Sequence, residues 1–303
     1  MARYLVTGGA GFIGTNIVKQ LLAEGHDVVS FDNYTGGRHA DRVQYGATYV
    51  EGDIRNMDDL NKVMAGIDGV FHTAAVPRMP YSIEHPQETN DHNVTGTLNV
   101  LVAARDAKVK RLVYSASSSA YGKQTIYPFV ETMKPRPLSP YGLQKYIGEE
   151  YCRLFSELYS FETVSLRYFN VYGPYMDPNG AYALVIGKFL KQKMDKTPLT
   201  ICGDGEYYRD YTHVQDIVRA NILAMTKETV GKGEVINIGN RNPKSVNELA
   251  KLIGGETVFV PPRPGDPRKT EADITLAKEL LGWEPTITLE DGVLELKKLW
   301  GLE

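Results

Sequence analysis

A tyrosine and a lysine stand four residues apart in the run Ser139-Pro-Tyr141-Gly-Leu-Gln-Lys145. On a helix that spacing puts both side chains on one face, one turn apart. An ammonium beside a phenol stabilises the phenolate and draws its pKa from about 10 toward working pH. The tyrosine can then act as a general base. Such a pair arises by chance in many helices. Here a hydroxyl-rich stretch, Ser115-Ala-Ser117-Ser118-Ser119, lies upstream at the end of an expected strand. A hydroxyl, a phenol and an amine together suit proton transfer beside a hydride carrier.

The carrier is read from the first residues. Met1-Ala-Arg-Tyr-Leu-Val-Thr7 reads as a short buried strand. It runs into Gly8-Gly-Ala-Gly11-Phe12-Ile13-Gly14 and then into a helical pattern carrying Ile17, Val18, Leu21 and Leu22. Gly8 allows the tight turn, Gly11 the close approach of a ligand, and Gly14 close helix–strand packing. The helix N-terminus then aims unpaired N–H groups at a diphosphate. Eighteen residues after Gly14, Asp32 ends the second strand. A carboxylate there can take both hydroxyls of an adenosine ribose and repel a 2′-phosphate, which favours NAD over NADP. Asp53-Ile54, closing the third strand, reads either as an adenine contact or as a strand-end turn.

Strands and helices alternate through the first half. Further strands are expected at Asp27–Asp32, Ala47–Asp53, Gly69–Ala75, Arg111–Ser117 and Glu162–Tyr168, with helices at Met57–Ala65, Asp91–Ala107 and Pro140–Tyr159. This rhythm implies a parallel sheet with helices on both faces and ligands beyond the C-terminal strand ends. After Tyr168 the rhythm breaks into a Gly-, Pro- and Tyr-rich stretch. Later come a strand at Gly233–Gly239, a helix at Ser245–Ile253 with Ser245 as N-cap, and a turn-rich run at Pro261–Pro267. The expected fold is α/β, a Rossmann-type doubly wound sheet with a smaller C-terminal lobe that binds substrate. The expected division is 1–169 with about 211–239, and about 170–210 with 240–303.

At 303 residues, with a formal net charge of −3 and no basic run, the chain offers no long-range attraction to nucleic acid or anionic membrane. Its two cysteines, Cys152 and Cys202, lack metal spacing and suit a reducing compartment. The six histidines form no ligand pattern, so no metal is assigned. His72, inside a strand, reads as a satisfied core residue. With no leader pattern and no apolar run near the roughly 20 residues a span needs, the expectation is a cytoplasmic protein.

Taken together, Thr7–Gly14, Asn93-Val-Thr-Gly96, Ser115–Gly122, Tyr141–Lys145, Leu166-Arg-Tyr-Phe-Asn170 and Arg209-Asp-Tyr211 resemble the extended short-chain dehydrogenase/reductases. Within them the chain is most similar to the nucleotide-sugar 4-epimerases, over nearly its whole length. Ala116–Gly122 and Asp177–Ala183 resemble the UDP-N-acetylhexosamine 4-epimerases. The resemblance implies that Tyr141 takes the proton from the sugar O4 and Ser117 bonds that oxygen. It implies that Lys145 binds the nicotinamide ribose and holds the phenol ionised. It also implies NAD contacts from Asn33, Ala74, Ala75, Ser115 and Tyr168, with Asn93 supporting the site. For the UDP-sugar it implies Ser118, Asn170, Leu184, Val185, Thr200 and Cys202, the phosphate-binding Arg209 and Arg263, and the ribose-binding Asp266. Thr270 resembles a pocket-wall position where a small residue leaves room for an N-acetyl group. The lysine that some members carry after the fourth strand is missing, and Arg78 stands nearby. A homodimer through a four-helix bundle is implied for the helices Asp91–Ala107 and Pro140–Tyr159.

Two rival activities share this resemblance. Dehydratases and decarboxylases follow the strand-five hydroxyl with an acid, where this chain has Ser118 and Ser119. A UDP-glucuronate 4-epimerase stays open. A non-catalytic dinucleotide sensor would not need Ser117, Tyr141 and Lys145 together.

Overall fold

The computed structural model describes residues 1–77, 79–177, 184–262 and 267–302. The chain runs β1 (Arg3–Thr7), α1 (Phe12–Ala23), β2 (Asp27–Asp32), β3 (Thr48–Glu51), α2 (Met57–Met64), β4 (Gly69–His72), α3 (Met79–Glu84), α4 (Pro86–Asn90), α5 (Gly96–Asp106), β5 (Arg111–Ser117), α6 (Pro140–Tyr159) and β6 (Glu162–Tyr168). There follow β7 (Val171–Tyr172), α7 (Val185–Met194), β8 (Leu199–Cys202), β9 (Tyr208–Arg209), β10 (Thr212–His213), α8 (Val214–Thr226), β11 (Lys232–Ile238), β12 (Lys244–Ser245), α9 (Val246–Ile253), β13 (Thr257–Val260), α10 (Thr275–Leu281) and α11 (Leu289–Leu299).

Seven strands form one sheet in the order β11-β6-β5-β4-β1-β2-β3. Every pair in it is parallel. Alternate strand residues feed opposite layers, as strand geometry requires. Val6, Val28 and Val113 pack with Ile17, Val18 and Leu21 of α1 and Ile217 of α8. Leu5, Val29 and Leu112 pack with Leu60 of α2, Leu101 of α5 and Phe155 of α6. Both faces are covered, which is why these strands read as continuous apolar runs rather than alternating ones. This is the Rossmann architecture expected. The order reverses between β1 and β4, and that switch point opens a crevice at the carboxyl ends of the strands.

A third core joins Phe189 and Leu190 of α7, Ile201 of β8, Leu249 and Ile253 of α9, and Val293 and Leu296 of α11. Three two-stranded pairs, β7 with β10, β8 with β13 and β9 with β12, brace this region. Ser245 caps α9 in a reciprocal capping box with Glu248. The helix expected from Asp91 opens instead as a π turn over Asp91–Thr95 before α5 begins. Among the described residues no helix is long and apolar enough to cross a membrane.

Candidate active site

A cleft of about 680 Å³ runs along the carboxyl rim of the sheet. Its first end is the glycine turn. Gly8 has φ +70°, and a Cβ on Gly14 would lie 2.1 Å from the Gly8 carbonyl oxygen, so α1 can start this close to β1 only without a side chain there. Gly11 caps α1 without a side-chain bond, and the N–H groups of Phe12 and Ile13 have no partner within the helix. Asp32 points its carboxylate at this turn: Oδ2 accepts the Ala10 N–H at 3.1 Å and Oδ1 the Tyr34 N–H at 2.8 Å. Gly8, Gly11, Phe12, Ile13, Gly14, Asp32, Asn33, Ile54, Ala74 and Ala75 all line this end. Asp53 does not. Its carboxylate is held by Arg55 and by Asn33 at 3.0 Å, which pulls its pKa far below the usual range.

Tyr141 and Ser117 face each other in the middle of the cleft. Pro140 at the first turn and Ser139, which accepts the Gly142 N–H at 3.1 Å, start α6 so that Tyr141 meets the end of β5. The Tyr141 phenol and the Ser117 hydroxyl both line the cleft, near enough for the hydroxyl to act on the phenol electrostatically. That hydroxyl in turn donates to Ser119 Oγ at 3.1 Å. Lys145 lies one turn on, 3 % exposed, and donates to the Ser115 carbonyl at 2.7 Å over the Tyr114 ring. The electrostatics differ from the sequence expectation. Burial pushes the Tyr141 phenol up, opposed by the neighbouring Ser117 hydroxyl, and it pushes the Lys145 ammonium down to about 8. The lysine's charge is spent on the β5 carbonyl, so the phenol is not drawn down in the protein alone. Ser115 holds the Tyr168 hydroxyl at 3.1 Å, and Tyr168 lines the cleft beside it.

Asn93 lies behind the cleft wall in the middle of the π turn. Its amide clamps both backbone groups of Val76, accepting the N–H at 2.8 Å and donating to the carbonyl at 3.1 Å. It also donates to Gln144 Oε1 at 2.9 Å. His72 is a satisfied core residue, bonded to Thr7 at 2.7 Å and Thr97 at 3.0 Å, and burial holds it neutral with its pKa lowered to about 3. Among the described residues no cluster of three or more His, Cys, Asp or Glu could hold a metal.

The far end is lined by Ser118, Asn170, Leu184, Val185, Thr200, Cys202 and Arg209. Thr270 stands behind Asn170, whose amide donates to its hydroxyl at 3.3 Å. Arg263, Asp266 and Arg78 lie outside the described residues.

Residues 4–239 match the NAD dependent epimerase/dehydratase family. The chain belongs to this family. It is similar to the UDP-glucose 4-epimerase of Thermotoga maritima, solved with UDP-glucose, at 39 % identity, 99 % and 100 % coverage of the two chains, and TM-score 0.93. It is similar to the UDP-N-acetylglucosamine 4-epimerase of Methanobrevibacter ruminantium, solved with UDP-N-acetylmuramic acid, at 32 % identity, 99 % and 98 % coverage and TM-score 0.93. It is also similar to the UDP-glucuronic acid 4-epimerase of Bacillus cereus, solved with UDP-glucuronic acid and NAD, at 33 % identity, 98 % and 99 % coverage and TM-score 0.87.

NAD is the cofactor of the family, and the cleft fits it. The space a Cβ at Gly14 would fill, the open N-terminus of α1 and the Asp32 carboxylate are what a dinucleotide needs. Sequence reasoning missed four residues that the fold brings to this site. Ser82 of α3, fully buried, accepts the Tyr141 backbone N–H at 3.1 Å. Gln144 ties α6 to Asn93 and to Thr89 at 3.0 Å. Arg42 and Tyr207 line the cleft. None of the four left a local signal in the sequence; each needed the tertiary fold to reach the site.

Proposed function

We propose that this member of the family interconverts the C4 epimers of a UDP-sugar, taking UDP-glucose and UDP-galactose and also the N-acetylated pair. The observation that carries the reading is that the Tyr141 phenol and the Ser117 hydroxyl line one cleft together with the glycine turn at one end and Arg209 at the other. When bound, NAD supplies the reversible hydride acceptor that oxidation at C4 requires. Tyr141 accepts the O4 proton as the C4–O4 bond becomes a carbonyl. Ser117 hydrogen-bonds that oxygen and relays the proton between it and the Tyr141 phenol. Lys145 orients the nicotinamide ribose. The 4-keto sugar turns over, and Tyr141 returns the proton when reduction occurs at the other face. Arg209, on β9, offers the fork suited to the diphosphate, a role shared with Arg263.

Two features support epimerisation over elimination or decarboxylation. The β5 turn continues as Ser118 and Ser119, without an acid. Among the described lining residues the only carboxylates are Asp32 and Asp177, and neither belongs to that turn. A small Thr270 supports acceptance of the N-acetyl group. The test is to incubate the protein separately with UDP-glucose, UDP-N-acetylglucosamine and UDP-glucuronate and resolve the C4 epimers. Equilibration of the first two is expected; turnover of the glucuronate alone overturns the substrate assignment. A second copy of the chain is proposed against α6, where Leu143, Leu154 and Leu158 are exposed. Sedimentation of a monomer at micromolar concentration would refute it.

A further inference from the structure

The dinucleotide end of the cleft needs a cation for its diphosphate, and the described lining residues offer three: Arg42, Lys188 and Arg209. Lys188 is on α7 and Arg209 on β9, both at the sugar end. Arg42 alone belongs to the glycine turn. Its Nη1 lies 3.5 Å from the Ala10 carbonyl oxygen, while the N–H of the same residue is held by Asp32. Arg42 and Asp32 thus grip the two ends of one residue inside the Gly8–Gly14 turn.

We propose that Arg42 is the residue that binds the phosphates of the dinucleotide, a role resting on the NAD assignment above. Arg42 is 8 % exposed, yet its buried Nε has no hydrogen-bond partner. Among the described residues no carboxylate oxygen lies within 4.0 Å to pair with it. Both Asp32 oxygens already accept backbone N–H groups. A buried guanidinium without an ion partner is costly unless a ligand supplies the anion. The backbone around it is fixed. The Arg42 N–H bonds the His39 carbonyl at 3.1 Å, and its carbonyl accepts from Gln44 Nε2 at 3.2 Å. The side chain therefore waits in place, with Thr35, Gly36 and Gly37 lining the cleft on the same loop. Asp41, Asp32 and Asp177 all act electrostatically on Arg42. Its charge offsets those carboxylates, which would otherwise repel an incoming diphosphate.

The test uses full-length Arg42→Met and Arg42→Lys proteins, checked for fold by circular dichroism and melting. NAD carried through purification is quantified, and the protein depleted of NAD is titrated with NAD, ADP and adenosine. Arg42→Met should lose at least tenfold in affinity for NAD and ADP and less than twofold for adenosine. Arg42→Lys should recover part of the loss, since a point charge replaces the fork. NAD and ADP affinities within twofold of wild type, or an equal loss for ADP and adenosine, overturn the proposal. Wild-type protein that binds no NAD overturns the dinucleotide reading itself, which separates the two failures.

Discussion

Tyr141 and Lys145 share one helical face, yet burial moves them in opposite directions: the phenol up, the ammonium down to about 8. Each is neutral-favouring because each is removed from water. The free site is therefore a poor base, because burial disfavours the ionised phenol. Chemistry then depends on the charge that the bound cofactor and substrate bring. Removing the hydroxyl tests this directly. Tyr141→Phe keeps the ring and the packing but deletes the proton acceptor, and general-base groups contribute about 10² to 10⁴ in rate. The expected result is a kcat lower by that factor with NAD content unchanged, measured by epimer resolution and by absorbance of the extracted dinucleotide. Full turnover in the variant would remove the phenol from the mechanism.

At the scale of elements, the helix that carries Tyr141 is held by hydroxyls from two places. Ser139 caps the Gly142 N–H from its own chain segment, while Ser82 reaches in from α3 to the Tyr141 N–H. Both N–H groups belong to the first turn and have no intrahelical partner. Ser139→Ala should cost about 0.5–2 kcal/mol of stability with kcat nearly intact. Ser82→Ala leaves a buried N–H beside the reacting phenol unmet, a cost of about 1–3 kcal/mol. It should also lower kcat about tenfold by misplacing the phenol, with little change in KM. Thermal melts and steady-state kinetics on both variants, with Ser82→Thr as the rescue, check the contrast. Equal effects of the two alanines on kcat would show that Ser82 merely stabilises. This contrast also marks what the sequence could tell. The strands β1, β2, β4, β5 and β6 and the glycine turn were legible because burial on both faces leaves apolar runs, the edge strand β3 because it continues their alternation with helices, and Ser245 because a capping box is local. The helices α3 and α4 were not, since Pro80 and Pro86 break a stretch too short for a periodic signal. The π turn at Asn93 was hidden for a related reason: it is fixed by Val76 and Gln144, one 17 residues before it and the other 51 after. Arg42 carries no local signal in its polar loop, and only the fold buries it.

Across the whole molecule, Asp210 binds segments that are far apart in the chain. It follows β9, is fully buried, and accepts N–H groups from Asn240 at 2.6 Å, Arg241 at 3.1 Å and Ala272 at 2.9 Å. Its own carbonyl accepts from Asn170 at 3.3 Å, so the sugar end of the cleft and the end of β11 meet at this one residue. These carboxylate partners are backbone N–H groups rather than cations, and burial raises its pKa from 3.8 to about 6 despite the three donors. The folded state therefore holds a proton that the unfolded chain has lost between those two values. With more protons bound when folded, stability must fall as pH rises through that window. Asp210's contribution is fully present below pH 3.8 and gone above about 6. A tenfold change in proton affinity corresponds to about 1.4 kcal/mol, so the decline amounts to a few kcal/mol. Denaturant melts of wild type and Asp210→Asn from pH 4 to 7 should differ in slope: the variant, unable to titrate, loses this component of the decline. It should also be less stable than wild type near pH 5, because one amide oxygen must serve three donors. Parallel pH curves would mean that the carboxyl stays ionised throughout, held by its backbone donors.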